Sequence, residues 1–204
     1  MFSMTPSAHQ RRSRAAFIEA HAPERWYGTS PTRLGNDGEA TMHAPGTLIL
    51  LCGKMAAGKS TLAARLADER DAMLFGEDAL LAALYPDEVH DLDDYRLRSS
   101  RLKDAMRPHI VDLLRRGVSV VMDFPANTVR QRQWLRGLID ESAASHELHY
   151  LVATDEACKA RLARRAVEQP ERSATDTPQM FDLVTAYFRP PTDDEGFEVV
   201  RHER

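Results

Sequence analysis

From residue 47 onward the sequence predicts an α/β domain on a five-stranded, doubly wound parallel sheet. Three observations carry that prediction. Short apolar runs alternate with segments of helical period, the pattern of parallel strands joined by helical crossovers. The first run ends in a glycine- and alanine-rich octet, Gly53 to Ser60, from which a helical stretch opens. A chain of 204 residues, 43% hydrophobic, can bury one core around such a sheet but not two large ones.

Residues 1–44 precede this pattern. They carry Arg11, Arg12, Arg14, Pro23, Gly28, Pro31, Gly35 and Gly38, with Pro45 close behind and few apolar positions. Such a stretch buries little and reads as a mobile leader. An arginine-rich leader can be a transit peptide, but Glu19 and Glu24 count against that, and Met42 is an alternative start. Residues 45–204 form the predicted domain.

The strand candidates are Thr47 to Cys52, Ala72 to Phe75, Val118 to Met122, Leu148 to Val152 and Phe197 to Val200. Between them, Thr61 to Arg70 and Ala79 to Leu84 are expected as helices. Leu102, Met106, Ile110, Leu113 and Leu114 trace one face of a longer helix that Pro108 should kink or divide. Thr128 and Gln131 make a capping box ahead of a buried stripe of Val129, Trp134, Leu135, Leu138 and Ile139. Another helix opens after Thr154, with Asp155 and Glu156 in its first turn where the dipole favours them. The last begins at Thr177-Pro178 and turns Met180, Val184 and Tyr187 inward.

A net charge of −4 with pI near 6.1 argues against nucleic acid held by charge alone. Cys52 and Cys158 lack metal-ligand spacing and read as small core residues of a reducing compartment. Apolar runs fall short of the roughly 18 residues that span a bilayer, so no membrane partner and a cytoplasmic location are expected. The sequence says nothing about oligomeric state.

The octet Gly53-Lys54-Met55-Ala56-Ala57-Gly58-Lys59-Ser60 fits G-x-x-x-x-G-K-[ST], with a strand before it and a helix after. Small residues let successive backbone N–H groups converge on phosphate oxygens, and the helix N-terminus adds partial positive charge. Lys59 is placed for the β and γ phosphates, Ser60 for Mg²⁺, and Thr61 completes the cofactor-binding set. ATP and Mg²⁺ are therefore the expected cofactors.

Asp123 stands at the end of the third strand, where it can hold the magnesium shell or a substrate-site arginine; it could also merely cap a turn. No glutamate follows it, unlike hydrolysing motors, and no Asn-Lys-x-Asp guanine-reading motif is present. Asp78, after the second strand, is the candidate base for a substrate hydroxyl, with helix capping by Glu77 or Asp78 as the alternative. Arg161 and Arg165 share a helix face before the polar stretch Glu168 to Pro178, an arrangement like a lid whose cations neutralise transferring phosphoryl charge, unless they are only a solvated basic helix end. Asn127 and Arg130 fall near a substrate pocket at the strand ends. Arg96, Arg98, Arg101, Lys103 and Arg107 read best as an ordinary charged outer face.

These residues resemble small bacterial AAA-type ATP-binding proteins, related to zeta-toxin-like sugar-nucleotide kinases and polynucleotide 5′-hydroxyl kinases. Gly53 to Ser60, Gly76-Glu77-Asp78, Ala83 to Asp87, Val118 to Thr128, Leu148 to Asp155 with Arg161 and Arg165, and Tyr187 to Phe197 carry the resemblance. It implies a nucleoside-monophosphate-kinase-like P-loop NTPase, a three-layer sandwich with a short lid. It also implies ATP-dependent phosphorylation of a small hydroxyl-bearing substrate, with Asp78 as base and the lid arginines on the phosphates. Alternatives are a polynucleotide 5′-hydroxyl kinase or a non-catalytic ATP-binding regulatory module. The adenine-contacting loop that the family places after the last strand is expected to be missing or supplied elsewhere, and Ala166 stands where the family often has asparagine.

Overall fold

Six consecutive residues, Thr47–Cys52, form β1, and five of them are buried. A strand covered on both faces has no polar side, which is why TLILLC reads as continuous apolar sequence rather than alternation. The computed structural model describes residues 44–169 and 176–203, within a compact unit that runs from His43 to Arg204. The expected leader, the alternative start at Met42 and the centre of the Glu168 to Pro178 stretch lie outside the described residues.

The sheet adds β2 (Met73–Gly76), β3 (Val120–Pro125), β4 (Ser145–Val152) and β5 (Val199–Glu203) in the order β2-β3-β1-β4-β5, with every pairing parallel. The crossover from β1 skips one position to reach β2, and the one from β3 passes over β1 to reach β4. Strand order thus reverses at β1, and the crevice beyond the carboxyl ends of β1 and its neighbours is where such sheets bind ligands.

Helices cover both faces. Ile49, Leu51, Val121 and Leu151 pack with Leu62, Ala63 and Leu66 of α1 (Lys59–Glu69), Cys158 and Leu162 of α5 (Asp155–Glu168), and Phe181 of α6 (Pro178–Thr185). The opposite face, Leu48, Leu50, Cys52, Met122 and Leu148, meets Leu81 of α2 (Glu77–Leu84), Leu102, Ile110 and Leu114 of α3 (Leu92–Arg115), and Leu135 and Leu138 of α4 (Val129–Ser142). Five parallel strands between two helical layers are the sandwich expected from sequence. Both cysteines are free thiols in these cores.

Several elements differ from their expected form. α3 runs unbroken through Pro108 for 24 residues. The carbonyl that Pro108 cannot serve belongs to Asp104, and both residues are exposed, so water can replace the lost bond. In α4 the expected stripe residue Val129 is 44% exposed, while Arg132 is fully buried. Phe181, not Tyr187, takes the buried position of the last helix; Tyr187 lies beyond its end and is exposed. β3 continues to Pro125 through a register break: Leu50 pairs with Met122, but Leu51 with Pro125. β5 starts two residues after Phe197 and ends in Arg201-His202-Glu203, as an edge strand paired only to β4 can.

Candidate active site at the carboxyl edge of the sheet

The root of the octet is built for glycine. Gly53 has φ +154°, and a Cβ there would meet the Leu151 carbonyl oxygen at 2.9 Å. Gly58 has φ +100° as the residue that caps α1. Ala56 holds φ +58°, a left-handed conformation that strains a residue with a Cβ. Ala57 closes the turn, its N–H donating to the Lys54 carbonyl at 3.1 Å. The loop therefore curls and leads straight into a helix N-terminus, the geometry that offers convergent N–H groups to an anion.

Side chains hold this curl from four directions. The Lys59 Nζ donates to the carbonyls of Gly53 at 2.8 Å and Lys54 at 2.9 Å, spanning the loop. Asn127 Oδ1 accepts the Gly53 N–H at 2.9 Å. Lys54 is ion-paired with Asp155 at the start of α5. Arg161 reaches the loop from the same helix, with Nη1 at 3.4 Å from the Ala56 carbonyl and 3.3 Å from that of Ala57. Met55 packs against the core beside α1, while Ser60 and Thr61 are exposed at the mouth.

Asp123 comes to this mouth because of the register break in β3. On the β2 side it stays in register, opposite Gly76; on the β1 side the break releases it. A bulge of this kind re-aims a side chain. Its carboxylate is hydrogen-bonded to the Ser60 side chain and lies in the field of Lys59. Burial pushes the Asp123 carboxyl above the usual carboxylate range, while the Ser60 hydrogen bond and Lys59 pull it back. Burial pushes Lys59 below the usual lysine range, with Asp123 as the strongest opposing charge. Phosphate oxygens arriving at Lys59 would favour its charged form.

Glu77 and Asp78, consecutive at the end of β2, have different surroundings. Glu77 is 1% exposed and fully engaged: Ser99 donates to it at 2.7 Å, Tyr95 at 2.5 Å, and Lys103 lies at 3.3 Å. Asp78 is exposed, within the electrostatic reach of Lys59, Asp123 and Tyr95. One carboxylate thus braces α2 against α3, and the next faces the mouth.

The structure brings Lys59, Ser60, Asp78, Asp123 and Arg161 to one edge of the sheet. Arg165 goes elsewhere: its Nε and Nη2 meet the buried Asp176 carboxylate at 2.5 and 2.8 Å, tying α5 to the start of α6. Asn127 has its side-chain oxygen on the loop root, and Arg130 is exposed on the first turn of α4. The set expected as a charged outer face is only partly that. Lys103 turns in to Glu77, Arg98 lies over the Tyr85 ring at 5.0 Å and Arg107 bonds Glu141; Arg101 is exposed.

Sequence reasoning missed Glu77 as a brace, its partners on α3, and Arg132. The i, i+4, i+8 spacing of Tyr95, Ser99 and Lys103 was a signal that one polar face of α3 looks inward. Arg132 offered a weaker one, a cation three residues before Leu135 in a stripe otherwise apolar.

Ser60 and Asp123 are adjacent hard oxygen donors, suited to Mg²⁺. Among the described residues no group of three or more His, Cys, Asp or Glu could hold a metal alone, so the remaining ligands would be phosphate oxygens and water.

The AAA domain profile matches residues 48–191. No curated protein matches the chain. Solved structures share its fold. A kinase candidate from Chloroflexus aurantiacus superposes with TM-score 0.61 at 20% identity, covering 79% of this chain and 86% of that one. Kti12 of Chaetomium thermophilum, in complex with ADP-AlF3, gives 0.57 at 15% identity, with 76% and 88% covered. The APS kinase CysC of Mycobacterium tuberculosis, in complex with AMPPNP and APS, gives 0.53 at 17%, with 78% and 88% covered. Since the profile spans well over half of the chain, the protein belongs to the AAA domain family, on a fold that these solved structures share.

Proposed function

We propose that this protein is an ATP-dependent kinase that transfers the γ-phosphoryl group of ATP to a hydroxyl of a small molecule. The observation that carries the reading is the convergence of Lys59, Ser60, Asp123 and the exposed Asp78 on one sheet edge beside a curled phosphate loop. Chains of this fold that include an APS kinase bound to AMPPNP and APS support it.

In this reading the loop amides of Lys54 to Ser60, with Thr61 at the helix start, hold the β and γ phosphates. Lys59 leaves the loop carbonyls to meet phosphate oxygens, a gain in charge-assisted bonds where burial had disfavoured its charge. Magnesium, held by Ser60 and Asp123, would neutralise charge on the bridging phosphates. Asp78 orients the acceptor hydroxyl in line and takes its proton. The hydroxyl oxygen then forms a bond to the γ phosphorus, the bond from that phosphorus to the β,γ-bridging oxygen breaks, and ADP leaves with the electron pair. Arg161 lies near enough to the loop to stabilise the transferring group. Arg165 acts by holding α5 through Asp176, and Arg130 stands on the acceptor side. Location in the cytoplasm is part of this proposal; what the structure shows is that no described helix is long and apolar enough to cross a membrane.

A panel of alcohols, sugars, nucleosides and 5′-hydroxyl RNA, scored for ADP release and a product gain of one phosphoryl mass, tests the reading. The expected result is transfer to one small-molecule class, lost in Asp78→Asn by about 10²–10⁴-fold with ADP affinity kept. Transfer to RNA ends alone would favour the polynucleotide reading. Binding without transfer to any acceptor would favour a regulatory module.

A further inference from the structure

Among the described residues Arg132 is the largest fully buried side chain, and the proposed transfer chemistry does not use it. Its five N–H donors are all used. Nε donates to Glu195 Oε2 at 2.6 Å and Nη2 to Glu195 Oε1 at 2.7 Å; Nη1 donates to the carbonyls of Ala126 at 3.0 Å and Arg189 at 2.8 Å; Nη2 also reaches Pro190 at 3.4 Å. Glu195 is in turn fixed by the Thr192 N–H at 3.1 Å. One guanidinium therefore fastens the returning segment Arg189 to Glu195 onto the loop that leaves β3.

That loop carries Asn127, and Asn127 faces both ways. Its carbonyl accepts the Arg189 N–H at 2.9 Å, and its side-chain oxygen accepts the Gly53 N–H at 2.9 Å. Gly53, held on its amide by Asn127, presents its carbonyl to Lys59. Arg132 is also hydrogen-bonded to Cys52, the residue before Gly53, whose thiol burial pushes up to about 11. A glycine at φ +154° has little intrinsic reason to stay there. Without Asn127 the Cys52–Gly53 peptide loses the bond that fixes it, so the φ of Gly53, and with it the direction of the loop amides that follow, is no longer held.

A buried ion pair is seldom kept for stability, since well-packed apolar side chains often do as well. What an apolar pair cannot do is hold three carbonyls and a carboxylate at once. We propose that Arg132, Glu195 and Asn127 are positioning residues for the phosphate loop: the segment Arg189 to Glu195, clamped by Arg132, sets the orientation of Gly53 through Asn127. This rests on the reading that the loop binds nucleotide phosphates, and it adds a dependence of nucleotide affinity on a segment some 140 residues away along the chain.

The test is a double-mutant cycle on the full chain, with ADP affinity measured by calorimetry. Asn127→Leu, of similar size but without the acceptor, is expected to weaken ADP binding about fivefold. Glu195→Gln, which keeps the shape and loses the charge, is expected to weaken it two- to threefold, roughly half of that bond's worth on a log scale. If Glu195 acts through Asn127, the double variant binds ADP no more weakly than Asn127→Leu alone; full multiplication of the two effects, or an unchanged affinity in Glu195→Gln, overturns the proposal. Exchange of the Gly53 amide proton is the second readout, faster in Glu195→Gln and in Arg132→Lys than in the wild type. Should the wild type bind no nucleotide at all, the kinase reading fails, while unchanged Gly53 exchange in both variants would separately overturn the coupling.

Discussion

The two sides of the site are built differently. On the nucleotide side, the loop is tied to α1, the loop after β3 and α5 by Lys59, Asn127, Lys54 and Arg161, and its root sits on a strand with every residue from Leu48 to Gly53 buried. On the side proposed for the acceptor, β2 is an edge strand with Met73 and Leu74 46% and 44% exposed, and Asp78 is open to solvent. A phosphate chain is the same in every nucleotide and can be met by a preformed backbone cradle. An acceptor varies, and the residues proposed to meet it stand on surface that carries little of the core.

Perturbing either side should have effects of different kinds. On the nucleotide side the largest effect is expected from Lys59→Ala, a loss of about 10²–10³-fold in phosphoryl transfer, because it removes the cation placed for the transferred charge. Turnover that survives unchanged would mean the loop is not where transfer occurs. Glu77→Gln should act on the scaffold instead. It weakens a carboxylate held by Ser99, Tyr95 and Lys103 and is expected to cost about 1–3 kcal/mol of stability in thermal unfolding, with less effect on turnover than Asp78→Asn. The reverse pattern, transfer abolished and stability kept, would move the base from Asp78 to Glu77 and break the comparison.

Acid sharpens it in a third way. Asp123 is raised in the fold by burial and must be ionised to ligate a metal, so magnesium-nucleotide affinity should rise with pH through its folded value and then level off. Glu195 is lowered by its hydrogen bond to Arg132. The stability it contributes is complete above the ordinary glutamate value and is lost as pH falls through the lower folded value; Glu195→Gln should flatten that acid-side loss. Affinity and stability measured across the same pH series separate the two. The smallest effect is expected at Ala56. Glycine there relieves a left-handed strain of about 1 kcal/mol but loosens the unfolded chain by a similar amount, so Ala56→Gly should leave both stability and affinity nearly unchanged.

The sheet, its parallel sense and the phosphate loop were legible because each is written locally: apolar runs of strand length, helical periods between them, and eight residues whose spacing only one turn suits. The capping box at Thr128 and the caps at Thr154 and Thr177 were legible for the same reason. What escaped depends on partners distant in sequence. Arg132 looks like a surface arginine until Glu195 and two proline-flanking carbonyls return to it. Glu77 and Asp78 are neighbours with the same charge, and only the arrival of α3 buries one and leaves the other exposed. The register break that aims Asp123 at Ser60 belongs to the pairing of two strands, not to either strand alone. Arg165 shares a helix face with Arg161, yet Asp176 captures it.

Titration of the full chain with ATP, with and without magnesium, tests the preformed phosphate cradle most directly. The account predicts binding that magnesium tightens in the wild type, with that gain lost when Ser60→Ala and Asp123→Asn are combined. A wild type whose affinity for every nucleoside triphosphate is indifferent to magnesium would contradict it.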